Sequence, residues 1–207
     1  MVKNGRVFVC AGVSEEFDFA TSIGVGLVES AGRLSLLLNS LGGGLEEVVF
    51  VGSCGFYIRG DKEAEKLPKL LEVFEVFHAA NLEASGVLNL AYSPLLAPLK
   101  EFGSKANGGK NSTSQQVSKS PQIPYNTINS SNFITTDEEL SKLFANHFLG
   151  ENMELYAVGQ IAQMFKLKWR GVMCGTNFCD KNARKTYLAN LAAAKENLRK
   201  YLKENFF

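Results

Sequence analysis

The sequence predicts an α/β fold: one domain with a mixed, twisted central sheet flanked by helices. Three observations carry that prediction. Val7-Phe-Val-Cys-Ala11 is continuously apolar, as a central strand covered on both faces would be. Leu27, Ala31, Leu34, Leu38 and Leu41 follow at spacings of 4, 3, 4 and 3, the period of a helix with one apolar face. Glu47-Val-Val-Phe-Val51 then returns as a strand. Strand, helix, strand in that order is a βαβ unit, which implies parallel pairing.

The elements follow in order. A polar turn at Ser14-Glu-Glu16 precedes Phe17-Asp-Phe-Ala-Thr21, a second extended candidate. Gly24-Val-Gly26 opens the helix and Gly42-Gly-Gly44 stops it, because glycine takes the positive φ of a helix end without steric cost. Residues 71–80 and 86–92 are strand candidates, with 61–65 as a charged surface loop. Residues 103–124 are rich in Gly, Ser, Asn, Gln and Lys, bury almost nothing, and read as a mobile surface loop within one domain spanning 1–207. Asn132-Phe-Ile-Thr135 is extended, and Thr136-x-x-Glu139 is a capping-box pattern for a helix reaching to near Gly150. A helix over about 153–166, a strand over 168–174, a loop over 175–182 and an amphipathic helix over 185–204, through Tyr187, Leu191, Ala194, Leu198 and Tyr201, complete the chain.

Composition excludes more than it names. The 207 residues are 45% hydrophobic and 21% charged, enough for a core without metal or disulfide staples. A net charge of +1 gives no basic face for nucleic acid, so no nucleic-acid partner is expected. No apolar run approaches the roughly 18 residues of a membrane span, and no membrane partner is expected. The start, Met1-Val-Lys-Asn-Gly-Arg6, lacks the apolar stretch of a signal peptide. Cys10, Cys54, Cys174 and Cys179 lie in apolar surroundings, which suits free thiols and a cytoplasmic location. No metal is expected, since Cys174 and Cys179 are five apart and His78 and His147 have no neighbouring ligand.

Two glycine-rich stretches could meet a ligand. Gly24-Val-Gly26 precedes a helix whose first free N–H groups favour anions, although taken alone a tight strand-to-helix turn explains it better. Gly52-Ser-Cys-Gly55 follows a strand at its C-terminal end, where open α/β sheets bind ligands, and its small residues would admit a flat molecule. Alone, Glu154 is a first-turn glutamate suited to its helix dipole, and Met153 and Phe133 are core candidates.

Read in order, four stretches resemble the purine nucleoside phosphorylase and nucleosidase superfamily, which includes the methylthioadenosine/adenosylhomocysteine nucleosidases. They are Val9-Cys-Ala-Gly-Val-Ser-Glu-Glu16, Ile23-Gly-Val-Gly26, Val51-Gly-Ser-Cys-Gly55, and the pair Asn152-Met-Glu154 and Gly175-Thr-Asn-Phe-Cys-Asp180. The resemblance implies cleavage of a purine nucleoside's N-glycosidic bond, through an oxocarbenium-like transition state. It implies that Glu154 holds the ribose hydroxyls beside Met153, that Phe133 stacks on the base, and that Ser53, Cys54 and Gly55 line the site. Asn177 falls where nucleosidases carry the aspartate that supports protonation at N7; an amide can donate a hydrogen bond there but no acidic proton. That departure implies a preference for 6-oxopurines.

The acceptor stays open between water and phosphate. Water would be activated by Glu15 or Glu16, the strand register favouring Glu16. Phosphate, as an inorganic co-substrate, would fall to Ser53 and the Gly24 and Gly26 amides, without the usual arginine forks. No cofactor is implied, and a homo-oligomer is expected. The alternative reading is a non-catalytic nucleoside-binding member of the same fold.

Overall fold

The computed structural model describes residues 2–60, 67–92, 99–101 and 126–207. The loops expected at 61–65 and 103–124 lie outside the described residues. The strands are β1 (Val2–Lys3), β2 (Arg6–Cys10), β3 (Thr21–Ser22), β4 (Glu47–Phe56), β5 (Val73–Val76), β6 (His78–Ala80), β7 (Leu99–Glu101), β8 (Ile128–Ser130), β9 (Gly150–Asn152) and β10 (Lys168–Phe178). The helices are α1 (Leu27–Leu41), α2 (Ala84–Val87), α3 (Glu138–Ala145), α4 (Leu155–Met164) and α5 (Ala183–Asn205).

All ten strands join one mixed sheet, and β4 is its axis. Parallel β10 runs along one side of β4 for its whole length. The other side of β4 is shared. Parallel β2 pairs with it from Arg6↔Glu47 to Val9↔Phe50, and antiparallel β9 takes over only at Gly55↔Glu151. The parallel βαβ unit of β2, α1 and β4 is therefore present, as the hydrophobic pattern predicts. Between Phe50 and Gly55 the sheet splits, and this split positions the site.

The continuous apolar runs reflect a sheet covered on both faces. Val7, Val9, Val48 and Phe50 pack with Leu34 and Leu38 of α1 and with Leu155 and Val158 of α4. The alternate residues Phe8, Val49, Val51, Val172 and Cys174 pack against Ala194, Leu198 and Leu202 of α5. At the N-terminal end of β4, Glu47 is only 5% exposed and takes Arg6 at 2.9 Å and Arg170 at 2.7 Å, so a buried charge is paired rather than stranded. The four cysteines are buried and free.

Several expectations are corrected. Residues 17–20 form turns, leaving only Thr21–Ser22 as strand, because Phe17 and Phe19 pack on α5's side of the sheet instead of pairing. Residues 86–92 are not a strand: Ala84–Val87 is a short helix and the following residues lack strand pairing. The cap of α3 is Asp137, whose carboxylate accepts from the Leu140 N–H at 2.8 Å, and the helix stops at Ala145 rather than near Gly150, which is in β9. Both β4 and β10 run further than expected. Gly52-Ser-Cys-Gly55 and Gly175-Thr-Asn-Phe178 are strand because each provides the other's parallel ladder.

Candidate active site

The split along β4 leaves Ser53 facing away from β10 with no strand beside it. Side chains take the missing places. The Ser53 N–H donates to Glu15 Oε2 at 2.9 Å, and the Ser53 carbonyl accepts from Asn152 Nδ2 at 3.2 Å. Ser53 Oγ donates to Glu15 Oε1 at 2.5 Å. A cleft of about 250 Å³ opens over this point, lined among others by Glu15, Ser53, Cys54, Gly55, Phe133, Met153, Glu154 and Asn177.

Glu15, not Glu16, faces the cleft, so the register expected for the turn is corrected. Gly12 at φ 91° and Val13 at φ 57° reverse the chain, and Gly12 and Glu15 form an isolated bridge that turns the Glu15 side chain inward. Glu16 lines a separate, more open depression with Phe17 and Asp18. Gly52 is needed for the same contact: a Cβ there would lie 3.0 Å from Glu15 Oε2 and 2.8 Å from the Phe50 ring.

Glu154 lies beside this pair and is 3% exposed. It precedes α4, yet the helix dipole it meets is that of α1. Its Oε1 accepts from the Gly26 N–H at 3.0 Å and its Oε2 from Asn152 Nδ2 at 2.8 Å. Asn152 Oδ1 in turn accepts the Glu154 and Leu155 N–H groups at 2.7 and 2.8 Å, so one amide caps α4 and orients the carboxylate. Burial pushes the Glu154 pKa up to about 7; the Gly26 N–H pulls it back, and the charge of Glu15 adds to the rise.

The anion site expected at Gly24 and Gly26 is corrected. Gly24 and Gly26 hold φ of 88° and 83° to make the turn. However, three amides at the start of α1 are taken by the chain itself: Val25 N–H by Glu29 at 3.1 Å, Gly26 N–H by Glu154, and Leu27 N–H by Asn132 Oδ1 at 3.2 Å. The second part of the proposed phosphate site, Ser53, is held by Glu15.

Asn177 reaches the cleft through an irregularity. The β10–β4 register shifts between Gly175 and Asn177, leaving Thr176 unpaired and re-aiming the next side chain. Asn177 is 7% exposed. Its Nδ2 donates to the Phe178 carbonyl at 3.0 Å, and its Oδ1 accepts from Thr176 Oγ1 at 2.9 Å. A Cβ on Gly55 would lie 2.8 Å from Asn177 Nδ2, so this glycine makes room for a side chain of the protein rather than for a ligand's approach to the backbone. Phe133 is 71% exposed at the rim, with its ring free to cover a ligand.

Three polar or charged lining residues escaped the sequence reading. Glu151 has both oxygens occupied, by the Thr135 N–H and hydroxyl at 2.7 Å each and by Tyr57 at 3.0 Å, and so ties the Phe133 segment to β9. Its position two residues before Met153 was the available signal. Tyr187 and Arg184 come from α5, where helical periodicity marked Tyr187 only as a packing residue. Among the described residues, no group of three His, Cys, Asp or Glu side chains is placed to hold a metal, and no helix is long and apolar enough to cross a membrane.

No family model and no curated protein matches the chain. Solved structures do. A Helicobacter pylori methylthioadenosine nucleosidase, an aspartate-to-asparagine mutant with 5′-methylthioadenosine in its active site, superposes with a TM-score of 0.70 at 13% identity, covering 98% of each chain. A mutant of Helicobacter pylori futalosine hydrolase gives 0.69 at 14%, covering 96% of each. A 5′-methylthioadenosine/S-adenosylhomocysteine nucleosidase from Colwellia psychrerythraea in complex with adenine gives 0.65 at 14%, covering 95% of this chain and 92% of that one. The chain shares the fold of these nucleosidase and hydrolase structures.

Proposed function

From that fold and the two carboxylates that share one cleft, we propose that the protein hydrolyses the N-glycosidic bond of a purine nucleoside, with a preference for 6-oxopurines. The observation that carries the reading is Glu15 held by Ser53 beside Glu154 held by Gly26 and Asn152. Glu154 accepts hydrogen bonds from the ribose hydroxyls, with Met153 against the sugar. Glu15 takes a proton from water as its oxygen bonds to C1′. The glycosidic electron pair leaves with the purine, and Glu15, joined by Glu154 as it ionises above its pKa of about 7, stabilises the positive charge that grows on the sugar. Asn177 keeps one Nδ2 hydrogen for purine N7, since the other goes to Phe178. The purine takes its proton from solvent, which suits a 6-oxopurine because O6 spreads the departing charge.

Water is favoured over phosphate on electrostatic grounds. A phosphate dianion would meet Glu15, Glu151 and Glu154 against Arg184 as the one lining cation among the described residues, and the start of α1 that could offset its charge already carries Glu154 and Glu29. The test is purine release from inosine, guanosine, adenosine and methylthioadenosine, each with and without inorganic phosphate. The expected result is phosphate-independent release with the free sugar as the second product, ribose from the first three and methylthioribose from the last. A strict phosphate requirement with ribose 1-phosphate formed would overturn the choice of water.

A second reading, a nucleoside-binding protein without turnover, is favoured by one observation: both ends of the Asn177 amide already have partners within the chain. It expects saturable nucleoside binding with no purine release from any of the four substrates.

A further inference from the structure

Tyr187 has no part in the reading above, yet its hydroxyl reaches the cleft carboxylate. It donates to Glu15 Oε1 at 3.2 Å and shares a 2.7 Å hydrogen bond with Ser14 Oγ. Glu15 thus has three donors: the Ser53 N–H on Oε2, and the Ser53 and Tyr187 hydroxyls on Oε1. The first two come from β4, behind the carboxylate. The third comes from α5, across the cleft mouth. Two donors on one residue let the carboxylate pivot about that residue, and a third donor from a different element restrains the pivot. The same helix is fastened one turn on, where Asn190 Nδ2 donates to the Thr176 carbonyl at 2.8 Å beside Asn177. Positions 187 and 190 share a helix face, so α5 grips both the Glu15 turn and the β10 irregularity.

We propose that Tyr187 is a positioning residue that fixes Glu15 in line with the attacking water, and that α5 thereby sets the geometry of the water-activating group. The assignment rests on the hydrolytic reading of the cleft. Burial and the neighbouring Glu15 charge push the Tyr187 pKa up to about 12, which keeps its hydroxyl protonated as a donor at neutral pH. A phenylalanine ring fills the same space, so Tyr187→Phe removes the hydrogen bond and leaves the packing.

The experiment compares wild type, Y187F, E15Q and E15Q/Y187F in steady-state purine release, with thermal unfolding alongside. Y187F is expected to lower kcat by about tenfold while KM and Tm stay close to wild type, because a lost charge-assisted hydrogen bond acts on the reacting group and not on ground-state binding. In the E15Q background the same substitution is expected to change the residual rate less than about twofold, since there is no carboxylate left to position. A Y187F kcat within twofold of wild type would overturn the proposal. So would a tenfold loss that persists in the E15Q background, or a loss confined to KM. If wild type releases no purine, the hydrolytic reading itself fails, which is a separate outcome.

Discussion

Replacing Glu154 with Gln tests the buried carboxylate through the pH dependence of folding. Burial raises its pKa from 4.5 to about 7, so across that interval the folded chain holds a proton that the unfolded chain releases. Stability from this group is therefore fully present below pH 4.5 and is lost as pH rises through 7. A displacement of about 2.5 pH units at about 1.4 kcal/mol each gives about 3 kcal/mol over the whole window, and about 2–3 kcal/mol between pH 5 and 8. Gln does not titrate, but its NH2 would face Asn152 Nδ2, which now donates to Oε2 at 2.8 Å. That donor–donor contact shifts stability by an amount independent of pH. The informative quantity is thus a difference of differences, from urea unfolding of both proteins at pH 5, 6, 7 and 8. Wild type should lose about 2–3 kcal/mol more than E154Q between pH 5 and 8. Parallel pH profiles would refute the reasoning, because Glu154 would then not be titrating in that window.

Asn177→Asp should lower the ratio of kcat/KM for inosine to that for adenosine, since an ionisable group at N7 helps the 6-aminopurine more; an unmoved ratio would remove Asn177 from base recognition. Gly55→Ala places a Cβ at 2.8 Å from Asn177 Nδ2 and 3.0 Å from Cys179 Sγ. It should cost about 1–3 kcal/mol in chemical denaturation and lower kcat/KM as Asn177 is displaced. Asp137→Ala removes the cap on α3 and should cost about 1 kcal/mol while leaving purine release unchanged, which denaturation and kinetics on one preparation can check.

What could be read in the chain divides along physical lines. The βαβ unit was legible because burial on both faces makes β2 and β4 uniformly apolar, and α1 shows its period in leucines. Glycine misled. Gly52, Gly55 and Gly175 suggested loops, but they sit in the β4–β10 ladder, where they leave space for Glu15, Asn177 and the Phe56 ring. Tertiary crowding, not local turn preference, explains them. The choice between Glu15 and Glu16 turned on consecutive positive φ values at Gly12 and Val13, the second of which no residue pattern announces. Phosphate at the start of α1 failed for a similar reason. A free helix N-terminus looks the same in sequence as one filled by a carboxylate 128 residues away. Tyr187 was visible only as one member of an amphipathic stripe, because a helix face says nothing about where a hydroxyl at its edge will land.

The split in the sheet gives Glu15 a second duty. Its carboxylate stands where a neighbouring strand's carbonyl would otherwise accept the Ser53 N–H, and Asn152 stands where an N–H would otherwise donate to the Ser53 carbonyl. The two side chains act as rungs of the ladder. Cutting Glu15 back to alanine would silence the water-activating group and also orphan a backbone donor in the middle of the sheet, at a cost of about 1–3 kcal/mol. Loss of activity in such a truncation would mix chemistry with local opening of β4. Gln keeps an acceptor for the amide, so the isosteric variant separates a broken reaction from a broken rung.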